Sequence, residues 1–430
     1  MTGASPHGQL TTPDGAPRVV VTGTGMLTAL GADVESTWAG LVAGRSGIAK
    51  ITAFDPARVP SRIAGEVPGL DPSGVLDRKE QRRTDRYTHL ALVAAREALD
   101  EAGFPGRLEG ELAERTGILI ATGLGGGITF GEQVTTSVEK GPDRVSPFFV
   151  PMAIPNVAAG QAAIFFGALG PNYAIASACA SGGHAVGEAW EIIRRGDADV
   201  MLAGSAEAAI SEPLVAGFAA MRALSTRNDD PTAASRPFDR DRDGFVIGEG
   251  AGMLVLETLA HARARGARPL GEVVGYGASA DASHVTLPAP GGVGAIRAVR
   301  RALEKARLTV DDVEHVNAHA TSTPEGDRTE LEMLRGLFGA RAGEVNVTAI
   351  KSMIGHTLGA AGSIEAIVTL RTLAGGVVPP TINLEDPDEA AAGLDLTPNV
   401  ARERRMTIAV SNSFGFGGQN SALVLRRWDE

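Results

Sequence analysis

The stretch Ile175-Ala176-Ser177-Ala178-Cys179-Ala180-Ser181-Gly182-Gly183-His184 decides how this chain is read, because it holds the only cysteine among 430 residues. The apolar run Tyr173 to Ala178 predicts a strand leading into it. Beyond it, Ala185 to Arg195 predicts a helix with Val186, Trp190 and Ile193 on one side. Cys179 is therefore expected at a strand-to-helix turn, with its sulfur near the helix N-terminus. Free N–H groups and the positive end of the helix dipole favour a thiolate there. A lone cysteine can equally be a small buried hydrophobe, so a catalytic reading needs partners elsewhere in the chain.

Outward from this turn, β-rich apolar runs recur at 19–21, 117–121, 173–178, 200–203, 253–256, 272–276, 316–318, 345–350, 407–410 and 422–425. Helical patterns lie between many of them, including 88–102, 183–195, 295–306 and 363–373. The alternation predicts an α/β fold with largely parallel or mixed sheet buried on both faces. An internal echo sharpens this. Residues 175–193 read strand, small-residue turn, helix, and 350–370 read the same way, with Lys351-Ser352-Met353-Ile354-Gly355-His356 at the turn. Two such units would set Cys179 and His356 at equivalent turns facing a shared centre.

Composition excludes several classes. One cysteine rules out a disulfide framework and cysteine-based zinc or iron–sulfur sites. No apolar run reaches the roughly 18 residues that span a bilayer. Residues 1–17 are polar and rich in Gly, Pro and Thr, which predicts a flexible tail rather than a signal peptide. A cytoplasmic protein without membrane insertion is expected. The net charge of −11 argues against nucleic acid as a partner. Against that background, Arg78-Lys79-Glu80-Gln81-Arg82-Arg83-Thr84-Asp85-Arg86 is basic, and reads either as a solvated, ion-paired face or as a dock for an acidic partner.

Two further segments carry reactive groups: Val316-Asn317-Ala318-His319-Ala320-Thr321-Ser322-Thr323-Pro324, a strand end opening into a hydroxyl-rich loop, and Lys351 to Gly362 with His356. Asp239-Arg240-Asp241-Arg242-Asp243-Gly244 imitates the start of a calcium loop. Position 250 is glycine where that loop needs a carboxylate, so an ion-paired turn is expected. The glycine runs at 123–127 and 415–418 lack a Lys-Ser/Thr ending, so neither reads as a phosphate loop. His284 is assigned no chemical role, and no metal site is expected.

The runs around Cys179, His319 and His356 resemble the three active-site motifs of the β-ketoacyl-acyl-carrier-protein synthases. Asn412-Ser413-Phe414-Gly415-Phe416-Gly417-Gly418-Gln419-Asn420 is similar to that family's glycine-rich loop, and Val20 to Gly25 and Arg236 to Phe245 match as well. The similarity runs from about Arg18 to Arg427, in order, and is nearest the elongating type II branch. It implies a thiolase-like fold of two related halves, 18–266 and 267–430, stacked as α-β-α-β-α layers and paired as a homodimer. The implied reaction joins an acyl chain on Cys179 to malonyl on acyl carrier protein with loss of CO2, in fatty-acid elongation. No resident cofactor is implied, since phosphopantetheine arrives on the carrier.

By the same resemblance, the N–H groups of Cys179 and Phe416 form an oxyanion hole, and Phe416, beside Phe414, gates the acyl pocket. Neutral His319 and His356 donate to the enolate, and Lys351 orients its neighbours with Glu365 as counter-ion. Thr321 and Thr323 bind the phosphopantetheine arm, Leu124 lines the acyl pocket, and Lys79, Arg82 and Arg83 meet the carrier. Ala320 departs from the glycine common in relatives by one methyl group. A polyketide ketosynthase remains the alternative enzyme. A non-catalytic chain-length-factor-like partner typically lacks the cysteine, a thiolase needs a second one, and initiating synthases carry Asn where His356 stands.

Overall fold

The computed structural model describes residues 9–104 and 106–429. The ten apolar runs become the ten strands of one sheet. They are β1 (Val19–Leu27), β2 (Thr116–Ala121), β3 (Asn172–Tyr173), β4 (Val200–Glu207), β5 (Gly250–Thr258), β6 (Gly271–Ala280), β7 (His315–Asn317), β8 (Asn346–Thr348), β9 (Ile408–Gly415) and β10 (Gln419–Arg427). Six helices position the site: α1 (Arg86–Glu101), α2 (Val157–Phe166), α3 (Ser181–Arg194), α4 (Val293–Ala306), α5 (Pro324–Phe338) and α6 (Ala361–Gly375).

The strand order is β8-β7-β9-β10-β6-β1-β5-β4-β2-β3. Read outward from the centre, β1-β5-β4-β2-β3 on one side repeats as β6-β10-β9-β7-β8 on the other. The pairings repeat too: β2 is parallel to β3 and β4, as β7 is to β8 and β9, while β5 and β10 are antiparallel to both neighbours. The halves join where Val19–Val21 pairs with Gly271–Val273. Three apolar clusters give the layering. Leu90, Ala94 and Phe166 of α1 and α2 cover one outer face, against Ile118 and Val255. Ala298, Val299, Leu331 and Leu334 of α4 and α5 cover the other, against Val316 and Val424. Between them α3 and α6 bury Trp190, Ile193, Ile364 and Ile367 against both halves. The result is the expected α-β-α-β-α stack.

The same device fastens each outer helix. On β1, a Cβ on Gly23 or Gly25 would lie 2.1 or 1.9 Å from the carbonyl oxygens of Ala98 and Ala94. On β6, a Cβ on Gly275 or Gly277 would lie 2.1 or 2.0 Å from those of Ala302 and Ala298. Strand glycines facing helix alanines let backbone meet backbone, which explains part of the high glycine content.

Three expectations change in detail. The strand expected over 173–178 is only Asn172–Tyr173, because Ala178 takes a left-handed φ of 49° and the chain bends away from the sheet before the cysteine. The helix behind it starts earlier, at Ser181. Within the expected tail 1–17, residues 1–8 lie outside the described residues. The remainder forms a turn bridged at Thr11 and Pro17, with Asp14 paired to Arg194 at 2.7 Å.

Replacing Gly25 or Gly277 by alanine forces strand and helix apart, and each change is expected to lower stability by about 1–3 kcal/mol in chemical denaturation. Unfolding midpoints equal to the wild type would contradict this packing.

Candidate active site

Cys179 sits where the chain turns from the sheet into α3. Ser181 closes the turn: its hydroxyl accepts from the Ser177 N–H at 2.8 Å and donates to the Ala178 carbonyl at 2.7 Å. Cys179 is 9% exposed. Burial pushes its thiol up to about 12, against the Lys351 charge and the N–H groups of Phe416 and of Cys179 itself, with Glu207 adding to the rise. The thiolate expected from the turn is therefore corrected. Desolvation is the largest influence on the group, and it favours the thiol. The two N–H groups that oppose the rise are the pair expected to form the oxyanion hole.

His356 follows β8 as Cys179 follows β3. Its Nε2 lies 3.1 Å from Cys179 Sγ. The Leu358 N–H points at Nδ1 over 3.3 Å, which leaves Nδ1 as acceptor and puts the ring proton on Nε2. His319, at the end of β7, packs edge-on to His356 with ring centroids 5.5 Å apart. Both are held well below the usual histidine range, by burial first and then by the Lys351 charge, with His356 adding to the effect at His319. Neutral rings keep an N–H to offer.

Buried charges hold this arrangement. Lys351 Nζ pairs with Glu365 and donates to the His319 carbonyl at 2.6 Å. Glu330, on α5, accepts from the N–H groups of His319 and Ala320 at 2.9 and 2.6 Å, and burial raises its carboxyl to about 7. Glu207, at the end of β4, accepts from the Thr122 hydroxyl and the N–H groups of Gly123, Leu124 and Gly359, which joins the two halves beside the cysteine. Burial raises it to about 7 as well. Neither Glu330 nor Glu207 was singled out from the sequence. Glu207 carries one signal there, a carboxylate in an otherwise apolar run, whereas Glu330 lies in a charged helix and carries none.

A cavity of about 470 Å³ brings together Cys179, His319, His356, Thr321, Thr323, Phe414 and Phe416. Thr321 and Thr323 hydroxyls bond each other at 3.0 Å. Phe414 lies against the His319 ring at 5.6 Å. Phe416 stands in the β9–β10 turn, which is fastened to the loop after β6: the Gly417 N–H donates to the Val285 carbonyl at 2.6 Å, and the Asp281 N–H to that of Gly418 at 2.8 Å. Sequence reasoning missed Phe218, Met221 and Arg222, which line the cavity beside Phe245 and Asp281 of the segments matched from the sequence. Phe218 and Met221, in a long apolar stretch, gave no signal.

Other expected residues lie apart. Leu124 is absent from the cavity lining and is 39% exposed. Lys79 and Arg82 lie exposed on and just after a short helix, Arg78–Gln81, and Arg83 stacks over the Phe148 ring at 4.3 Å. None of these three lines the cavity. The calcium-loop imitation is an ion-paired turn, with Arg236 on Asp239 at 3.0 Å and Arg242 on Asp388 at 2.9 Å. Among the described residues, no group of three or more His, Cys, Asp or Glu side chains could hold a metal ion, and no helix is long and apolar enough to cross a membrane.

Comparison with known proteins accords with this geometry. Residues 16–262 match the model for the β-ketoacyl synthase N-terminal domain, and residues 270–385 that for its C-terminal domain. A 3-oxoacyl-[acyl-carrier-protein] synthase 2 of Synechocystis sp. is 47% identical over 96% of this chain and 98% of its own length. A β-ketoacyl synthase of Burkholderia phymatum superposes with a TM-score of 0.89 at 37% identity, over 96% of this chain and all of that one. A ketosynthase solved in complex with a type II polyketide acyl-carrier protein and bound to the hexaketide gives 0.87 at 33% identity, with the same coverage of both chains. Matched over both halves of its fold, the chain belongs to the β-ketoacyl synthase family.

Proposed function

We propose that this protein is a decarboxylating condensing enzyme of fatty-acid elongation, which joins an acyl chain to malonyl-acyl-carrier protein to give 3-oxoacyl-carrier protein and CO2. The observation that carries the reading is the approach of His356 Nε2 to Cys179 Sγ at 3.1 Å, with the His319 ring opposite in the same cavity. The 47% identity to a 3-oxoacyl synthase 2, against 33% to a polyketide ketosynthase, favours elongation over the polyketide alternative.

In this reading the sulfur of Cys179 attacks the acyl-carrier thioester carbonyl. The carrier thiol leaves with the proton, and the acyl group stays on Cys179. The N–H groups of Cys179 and Phe416 hold the oxyanion. Malonyl-carrier then enters past Thr321 and Thr323, with Phe416 acting as gate. Breaking its bond to CO2 leaves the electron pair as an enolate, whose oxygen accepts from His319 and His356. The enolate carbon attacks the acyl carbonyl, and collapse of the adduct expels the Cys179 thiolate. Lys351, neutralised by Glu365, acts as a positioning residue for His319. The reaction needs no resident cofactor, because the pantetheine belongs to the carrier. Lys79, Arg82 and Arg83 remain proposed carrier contacts and Leu124 a proposed acyl-pocket residue. Phe130, Val134, Val150, Ile164 and Leu169 are large apolar side chains left exposed, which supports a homodimer that covers them. A cytoplasmic location fits this role.

His319→Ala is expected to lower condensation and malonyl-carrier decarboxylation by about 100-fold or more, while acylation of Cys179 stays within about threefold. Equal loss of both steps would sink the division of labour between cysteine and histidine. A thiol raised to about 12 predicts a second result. Between about pH 7 and 10, alkylation of Cys179 by iodoacetamide rises roughly tenfold per unit as the thiolate fraction grows. A plateau reached below pH 8 would show a low-pKa thiolate instead.

A further inference from the structure

A second group of cations without ion-pair partners among the described residues, besides the Arg78–Arg83 segment, lies on α4. Its inner face, Ala295, Ala298, Val299, Ala302 and Leu303, is buried against the sheet. Its outer face carries Arg297, Arg300, Arg301 and Lys305 at spacings of three and four, all exposed, with Glu304 the one carboxylate among them. Lys305 is paired with Glu191 at 2.5 Å. Among the described residues, none of the three arginines has a carboxylate within 4.0 Å, in a chain whose net charge is −11. Two are held in place: Arg297 donates to the Ala280 carbonyl at 2.7 Å, and Arg301 to that of Ala278 at 2.8 Å. A guanidinium fixed on a carbonyl still has donors facing outward and loses little freedom on binding an anion.

The ridge begins at the cavity mouth. Gly292 and Ala295, at the start of α4, line the cavity, as does Asp281, the residue after the carbonyl that holds Arg297. Met221 and Leu287, which also line the cavity, are exposed, as are Val285 and Val293 next to the lining residues Thr286 and Gly292. At 1.5 Å of rise per residue, the arginines run from about 3 to 9 Å beyond Ala295, along the outside of the molecule.

We propose that Arg297, Arg300 and Arg301 form a docking ridge for an acidic carrier protein, whose negatively charged face lies along α4 while its thioester arm enters the cavity. The inference rests on the proposed condensing function and adds a surface distinct from Lys79, Arg82 and Arg83. Charge complementarity selects an acidic partner, and continuity with the mouth selects the partner that must deliver an arm through it.

The test uses Arg300→Glu, whose native side chain anchors nothing in the fold, beside the triple charge reversal at 297, 300 and 301. Condensation is measured with malonyl borne on acyl carrier protein and with malonyl borne on free pantetheine. For Arg300→Glu, KM for the carrier-borne substrate should rise about fivefold or more and lose much of its salt dependence, with kcat within about twofold; the triple variant should show a larger rise. Turnover of the pantetheine thioester should be unchanged in Arg300→Glu, and Arg300→Lys should restore the carrier KM. An unchanged carrier KM, or equal loss with both substrates, would overturn the ridge. So would a labelled DNA duplex held by wild type but not by Arg300→Glu, with carrier KM unaffected. If wild type condenses no carrier-borne substrate at all, the functional reading falls and the ridge's partner with it.

Discussion

The structure depends on a crossing of two helix starts that leaves no room for side chains. A Cβ on Gly362, at the head of α6, would lie 2.4 Å from the Gly183 nitrogen, and one on Gly182, at the head of α3, 2.6 Å from the Ser363 nitrogen. A Cβ on Gly359 would lie 2.2 Å from the Gly123 nitrogen. Because α3 and α6 each begin just after a functional residue, this contact brings Cys179 and His356 together. A larger residue at the crossing would separate the halves and the reacting groups at once. Stability and geometry thus share one constraint, and it sits at the approximate twofold relating β1–β5 to β6–β10.

Buried charge is the second layer of that constraint. Lys351, Glu365, Glu330 and Glu207 are all buried: Lys351 and Glu330 bond the backbone of His319, Glu365 pairs with Lys351, and Glu207 ties the Gly123 and Gly359 backbone together. Removing one partner of a buried pair leaves an uncompensated charge, which costs about 3–5 kcal/mol. Such groups are retained where their geometry has a use. Here the lysine charge and burial act together to keep both histidines neutral, the state in which they can donate. The same burial raises the thiol, so the site favours a cysteine that becomes nucleophilic only as its proton departs.

Much of the fold was legible in the sequence, because buried strands must be apolar and the ten runs were read at nearly the right places. The echo between 175–193 and 350–370 marked the true repeat, since both units face the same centre. Strand ends were less legible: Ala174 to Ala178 has strand composition, but the left-handed Ala178 turns it out of the sheet. In the site, Cys179, His319 and His356 stood out because reactive side chains are rare in this composition. Glu207 and Glu330 did not, since their roles come from backbone N–H groups distant in sequence. The burial that opposes a Cys179 thiolate was not legible for a related reason. A turn can be read locally, whereas desolvation is set by the whole packed interior.

The central claim is that Cys179 holds the acyl chain between two chemically distinct steps. Intact-protein mass spectrometry follows it directly, first after incubation with a panel of acyl-carrier proteins and then after addition of malonyl-carrier protein. The account predicts one acyl adduct, located on Cys179, which disappears on malonyl-carrier addition with one CO2 released per 3-oxoacyl product. No adduct from any acyl donor, or an adduct that malonyl-carrier protein leaves in place, would contradict it.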